Sequence, residues 1–229
     1  MENLLLSHIQ IKVNKNIYLK NPETSDLGIR IVMSSVEMIH EMGLESFTFK
    51  KLSAALETTE SSIYRYFENK HKLLIYLINY YWAYLEYAIV FQTHNISKAE
   101  DKLLKALEVL SDPTQLESNA IFLPMDKLNH IVIAESSKAY LTKEVDDENK
   151  AGFFIAFKNV AKRIVEFVVA IDSKIQYPNT LVSTCIEGIL HQQFFAKHLP
   201  SLTDFTSEEE AENRTHIFYQ MIMNNLNQH

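Results

Sequence analysis

Thr48 to Leu74 reads TFKKLSAALETTESSIYRYFENKHKLL, and two short helical patterns lie inside it. Thr48 stands as an N-cap before Phe49, with Leu52 and Leu56 four apart on one face. Thr59 with Ser62 starts a second pattern, in which Ile63 and Phe67 are four apart. Residues four apart share a helix face, so Ile63 and Phe67 can pack on Leu52 and Leu56. Ser61, Ser62, Arg65 and Tyr66 then point elsewhere, with Tyr64 at the boundary. This reading places Phe67 in the core and both tyrosines outside it, their hydroxyls free for a phosphate. Only a few residues join the two helices, which is the spacing of a helix-turn-helix.

Outward from this stretch the chain stays helical. Asn21–Pro22 and Ser25–Asp26 carry helix-start chemistry; Leu27, Ile31, Ser35, Met38 and Met42 follow at helical spacing, and Gly43 suits the helix end. Before them Ile9, Ile11 and Val13, then Ile17 and Leu19, alternate as a short arm or hairpin turning at Asn14–Asn16. Its Lys12, Lys15 and Lys20 can touch DNA, or the segment packs on its own domain. After Asn69 a long helix carries Leu74, Leu77, Ile78, Tyr81, Leu85 and Ala88 on one stripe. Further helices are expected over 99–110, 123–141 and 149–173, between Pro178 and Pro200, and from a Ser207–Glu210 capping box to Leu226. The expected fold is all-α with about nine helices. An arm over 1–24 precedes a three-helix DNA-binding domain over 25–72 and a larger helical domain over 73–229.

Composition agrees. The 229 residues are 47% hydrophobic and 22% charged, with only 4 Gly and 5 Pro, too few for many tight turns. Leu73 to Phe91 is nearly as long as a membrane span, but Asn79 and Glu86 interrupt it, so a core helix and no membrane contact are expected. A single cysteine, Cys185, excludes an internal disulfide. With no apolar leader at the start, a cytoplasmic protein is expected. The net charge of −7 arises after residue 72, because the first 72 residues hold nine basic and nine acidic side chains. Within Ser46 to Lys72 five basic residues face three acidic ones, a balance compatible with phosphate binding. The nine histidines make no close set with Cys or carboxylates at ligand spacing, so no metal and no cofactor are expected. No phosphate loop or nucleophile elbow points to an enzyme.

The residues Thr48, Leu52, Ser62, Ile63, Tyr64, Tyr66, Phe67, Lys70 and Leu73, with Gly43 as lead-in, resemble the helix-turn-helix signature of TetR-type transcriptional regulators. The resemblance covers about residues 26–75. It implies a DNA-binding regulator, with a repressor as the expected form, acting as a homodimer on a palindromic double-stranded operator and answering to a small-molecule effector. By position, Glu60, Ser61 and Tyr64 would face bases. Thr48, Ser62, Tyr66 and Lys70 would face phosphates, while Lys50 and Arg65 could reach either. The family turn carries Gly where this chain has Glu57, and Glu60 stands where a small or basic residue is usual. A module of the same fold that has lost DNA binding is the alternative these two acids allow. The dimer surface is expected on the last two helices, at Leu181, Cys185, Gly188, Ile189 and Phe195 and at Phe218, Met221 and Ile222. An effector pocket is expected among the aromatics Tyr80, Tyr81, Tyr84, Phe154 and Phe157.

Overall fold

The computed structural model describes residues 11–114, 122–206 and 210–226. Ile9 of the arm and Ser207 of the capping box lie outside them. Eleven α-helices occur among the described residues: α1 Asp26–Ser46, α2 Phe49–Ala55, α3 Glu60–Tyr64, α4 Lys70–Thr93, α5 Ala99–Ser111, α6 Met125–Glu135, α7 Ser137–Tyr140, α8 Val145–Lys150, α9 Ile155–Ile171, α10 Pro178–His198 and α11 Ala211–Leu226. No strand occurs among these residues, so the all-α reading holds. Two of the expected helices are divided. The 123–141 segment splits into α6 and α7, and the 149–173 segment breaks at Gly152. That residue has φ +82, a conformation no other residue type adopts cheaply, and it ends α8 before α9 begins.

The chain forms two compact units, residues 1–84 with 117–156 and residues 85–116 with 157–229. These units divide the chain inside α4 and return residues 117–156 to the helix-turn-helix, whereas a boundary at 72/73 separates them.

In the first unit the start signals work as the sequence suggests. Ser25 caps α1 by accepting from the Gly28 N–H, Thr48 caps α2 through Lys51 N–H, and Thr59 caps α3 through Ser62 N–H. Ile31, Val32, Val36 and Ile39 form the buried face of α1. Leu52, Ile63 and Phe67 are wholly buried beside Phe47 and Phe49, so α3 is anchored from behind. The arm turns where expected, Ile17 N–H donating to Asn14 O at 3.1 Å, and Ile11 and Ile17 are buried. Glu57 takes φ +51 in the α2–α3 turn, so this chain pays left-handed strain where glycine would not. A Glu57→Gly variant is therefore expected to gain about 0.5–1 kcal/mol, the strain relieved less glycine's extra chain entropy. Thermal melting checks this; a lower Tm for the variant contradicts it.

The tyrosines of α4 are core. Tyr76, Tyr80, Tyr81 and Tyr84 are buried, and two of their hydroxyls are spent on partners: Tyr76 OH donates to Glu23 Oε1 at 3.1 Å and Tyr81 OH to Asn129 Oδ1 at 2.8 Å. Trp82 Nε1 donates to Tyr140 OH at 3.0 Å. Burial raises the Glu23 carboxyl above its ordinary pKa, and burial beside Glu23 raises the Tyr76 phenol far above its own. α4 is long and apolar enough to cross a membrane, but 78% of its most apolar window is buried inside the protein, which accounts for its composition.

In the second unit, α11 packs on α5 and α10. Arg214 of α11 is buried and donates to the Ser111 carbonyl at the end of α5 at 3.1 Å. The apolar stripes expected to meet a partner are turned inward in part. Cys185, Ile189, Phe218 and Ile222 are buried within their own unit, because α10 and α11 pack on each other and on α5. A Cβ on Gly188 would lie 2.7 Å from Phe218 Cε1, so this glycine admits the α11 ring of its own chain rather than a second copy. Leu181 and Phe195 are half-buried, while Met221 is 47% exposed beside Ile217 at 45%. Burial pushes the Cys185 thiol up to about 11, which leaves it protonated and unreactive near neutral pH.

Candidate nucleic-acid interface

The helix-turn-helix presents one polar side to solvent. Thr48 and Lys50 at the start of α2 are exposed, as are Ser61 and Tyr64 on α3 and Arg65 at its end. Glu60, Ser62 and Lys70 are partly exposed. Tyr64 is held without being covered: its ring meets Phe49 edge-on at 5.0 Å while 47% of the residue stays exposed. A ring fixed on one side and wet on the other can meet a groove with little ordering cost. Ser62 is partly spent on the cap, its hydroxyl 3.0 Å from that of Thr59. Glu60 stands in the first turn of α3, where its charge favours the positive end of the helix dipole. That local role favours an acid at this position whether or not it also meets a base.

Tyr66 corrects the sequence reading. It is 3% exposed, not free. α3 ends at Tyr64, so Tyr66 sits in the turn after it, and its carbonyl accepts from Leu19 N–H at 2.8 Å. The arm therefore closes over the ring. The Tyr66 hydroxyl lies 2.7 Å from Ser25 Oγ and 3.3 Å from Lys20 Nζ, and the Ser25 hydrogen bond, with Lys20 and Arg65 adding positive charge, holds the phenol below its ordinary pKa. Tyr66 supports the α1 cap rather than standing ready for a phosphate.

Lys70 is also engaged. Its ammonium donates to the carbonyls of Leu44 at 3.1 Å and Glu45 at 3.4 Å. Those carbonyls follow a break in α1 at Gly43, whose φ +72 and ψ 159 lie in a region that is essentially glycine-only. The Leu44 N–H freed by the break donates to Glu135 Oε1 at the end of α6, at 3.0 Å in a buried setting. Glu135 pairs in turn with Lys138 at 2.8 Å, and Lys138 with Glu45 at 3.0 Å. The turn that leads into α2 is thus pinned on its donor side by Glu135 and on its acceptor side by Lys70. Sequence reading misses Glu135, because its partner lies 91 residues away and no local pattern announces it.

Removing the Glu135 carboxylate strands a buried N–H. Glu135→Ala is expected to cost about 1–3 kcal/mol, and Glu135→Gln less, because an amide oxygen still accepts. Equilibrium denaturation of the two variants measures the difference; equal losses would show that the hydrogen bond to Leu44 is not what matters.

The residues expected to line a pocket divide between the two units. Tyr80, Tyr81, Tyr84 and Phe154 are buried in the first unit, Phe154 meeting Tyr140 edge-on at 5.3 Å, whereas Phe157 is partly exposed and belongs to the second. In the second unit an open cleft of about 480 Å³ is lined by Leu104, Glu108, Glu212, Asn213, Thr215 and His216, a largely polar set.

Residues 31–77 match the family described as bacterial regulatory proteins, tetR family. No curated protein matches the sequence. Solved structures share its fold. The crystal structure of AibR in complex with isovaleryl coenzyme A and operator DNA aligns with a TM-score of 0.56 at 16% identity, over 82% of this chain and 96% of that one. A transcriptional regulator from Saccharomonospora viridis in complex with choline gives 0.60 at 16%, over 83% and 94%. The ketosteroid transcriptional regulator KstR2 of Mycobacterium tuberculosis gives 0.58 at 10%, over 93% and 98%.

Proposed function

From residues 31–77, which are a tetR-family regulatory domain on a chain with the fold of such regulators, we propose a homodimeric repressor that binds a palindromic operator and is released by a small ligand. The observation that carries this reading is the polar side of α2 and α3. Thr48, Lys50, Ser61, Tyr64 and Arg65 are all exposed while Ile63 and Phe67 are wholly buried behind them. Ser61 and Tyr64 read base edges, with Glu60 beside them accepting from a cytosine amino group; Thr48, Lys50, Ser62, Arg65 and the remaining donor of Lys70 hold phosphates. A single five-residue helix reads few base pairs, so two copies on adjacent half-sites are needed for specificity. The exposed Ile217 and Met221 of α11, with Leu181 and Phe195 of α10, are the apolar residues left for that pairing.

The ligand site of this reading lies among the buried aromatics Tyr80, Tyr81, Tyr84 and Phe154 of the first unit and takes a largely apolar molecule. Related folds carrying isovaleryl coenzyme A or choline support ligand binding in a domain of this kind. A gel shift with DNA from upstream of the chain's own coding region tests the proposal. The wild type should shift that DNA and not an unrelated fragment, and Tyr64→Ala should weaken the shift by about 10–100-fold, the worth of a good base contact. Equal binding to both fragments would remove the operator reading.

A further inference from the structure

The seam between α1 and α6, both in the first unit, carries two imidazoles that neither the polar face nor the aromatic interior uses. His40 Nε2 lies 3.3 Å from His130 Nδ1. The ring centres are 5.4 Å apart and the planes 27° from parallel. Each nitrogen sits about 1.15 Å from its ring centre, so rings pointing nitrogen to nitrogen along one line would have centres about 5.6 Å apart. The two imidazoles therefore meet edge to edge, nitrogen facing nitrogen, rather than face over face.

That arrangement is also the bite of a tetrahedral ion. Bonds of about 2.05 Å at the tetrahedral angle hold two imidazole nitrogens roughly 3.3 Å apart and their ring centres roughly 5.2 Å apart. The observed pair is within a few tenths of an ångström of both values. The surroundings suit a cation. His40 shares its face of α1 with Glu37, one turn back, and Asp126 lies one turn before His130 on α6; the charge of Glu41, next to His40 in the chain, reaches Lys127 of the same seam. The only ammonium among these groups, Lys127, pairs with Glu37, and that hydrogen bond, with the charges of Glu37, Asp126 and Glu41, raises its pKa. Three carboxylates thus outweigh one fixed positive charge around the pair.

We propose that His40 and His130 form a two-histidine clip for a divalent transition-metal ion of the Zn²⁺ or Ni²⁺ class, tying α1 to α6. Among the described residues no group of three His, Cys, Asp or Glu is arranged as a ready ligand set, so water fills the remaining positions and the ion exchanges. On binding, whichever ring carries the shared hydrogen moves it to its other nitrogen, and both facing nitrogens offer lone pairs to the metal. Protons compete for the same lone pairs, so affinity falls as the solution is made more acidic. The clip holds whether or not the chain binds DNA.

The test uses the full chain without an affinity tag. Zn²⁺ and Ni²⁺ should raise Tm by roughly 2–5 °C and bind as one ion per chain in calorimetry, while Mg²⁺, which prefers oxygen ligands, does neither. His40→Gln and His130→Gln should each abolish the shift. No rise with Zn²⁺ or Ni²⁺, or a rise that survives in both variants, overturns the clip. Electron paramagnetic resonance of the Cu²⁺-loaded wild type gives an independent reading: coupling to two imidazole nitrogens supports the pair, and coupling to none or one overturns it, even if a variant fails to fold.

Discussion

Phe67→Ala should lower the stability of the first unit by about 3–5 kcal/mol, and its Tm by roughly 6–20 °C. Phe67 is wholly buried, and its ring meets Tyr76 edge-on at 5.3 Å. Its neighbours are fixed: Tyr76 by its hydrogen bond to Glu23, and Ile63 by accepting from the backbone N–H groups of both Tyr66 and Phe67. A cavity at this point cannot close by a small shift, so the loss belongs at the upper part of the range for large-to-small changes. Ile63→Val, which removes one methylene beside it, should cost only about 0.5–1.5 kcal/mol. Thermal and chemical denaturation read both numbers. A Tm within about 2 °C of the wild type for Phe67→Ala would mean that α3 is not held by this ring, and the free polar face would lose its physical basis.

The second large effect is on DNA affinity. In the proposed dimer, three cationic contacts from each protomer, Lys50, Arg65 and Lys70, neutralise about six phosphates, giving a slope near −5 in the logarithm of affinity against that of salt. Affinity should then fall about 10³-fold between 50 and 200 mM salt. Lys50→Ala removes one contact from each protomer and should flatten the slope by about 1.8. Glu60→Gln removes an acid from each copy and should change base preference more than slope. Fluorescence anisotropy across a salt series separates these outcomes. A slope near zero in the wild type would mean that Lys50, Arg65 and Lys70 do not lie on the DNA backbone.

The two acids that set this chain apart from the family pattern have local explanations. Glu57 occupies the left-handed turn position itself, at the cost of strain. Glu60 sits at the positive end of α3. Neither removes the helix-turn-helix.

Much of the fold was legible in the residues alone, for a common reason: the signals are local. Ser25, Thr48 and Thr59 cap helices by reaching N–H groups three residues on, and the four-residue spacing of Ile63 and Phe67 marks their shared buried face. These interactions are written within one turn of chain, so sequence spacing is enough to find them. The helix-turn-helix and the all-α class follow from such signals.

What only the tertiary structure decided depends on partners distant in the chain. Tyr66 reads as exposed by helical spacing, but the helix stops at Tyr64 and Leu19 and Ser25 close over it. Cys185, Ile189 and Ile222 read as a free apolar stripe, but α5 and the neighbouring helix already cover them. Glu135 and Leu44, and His40 and His130, are each brought together across about ninety residues. Spacing along a helix tells which side chains share a face; it carries no information about what that face meets. That is settled by how helices pack, where burial of apolar area and the pairing of every buried polar group are satisfied together over the whole unit.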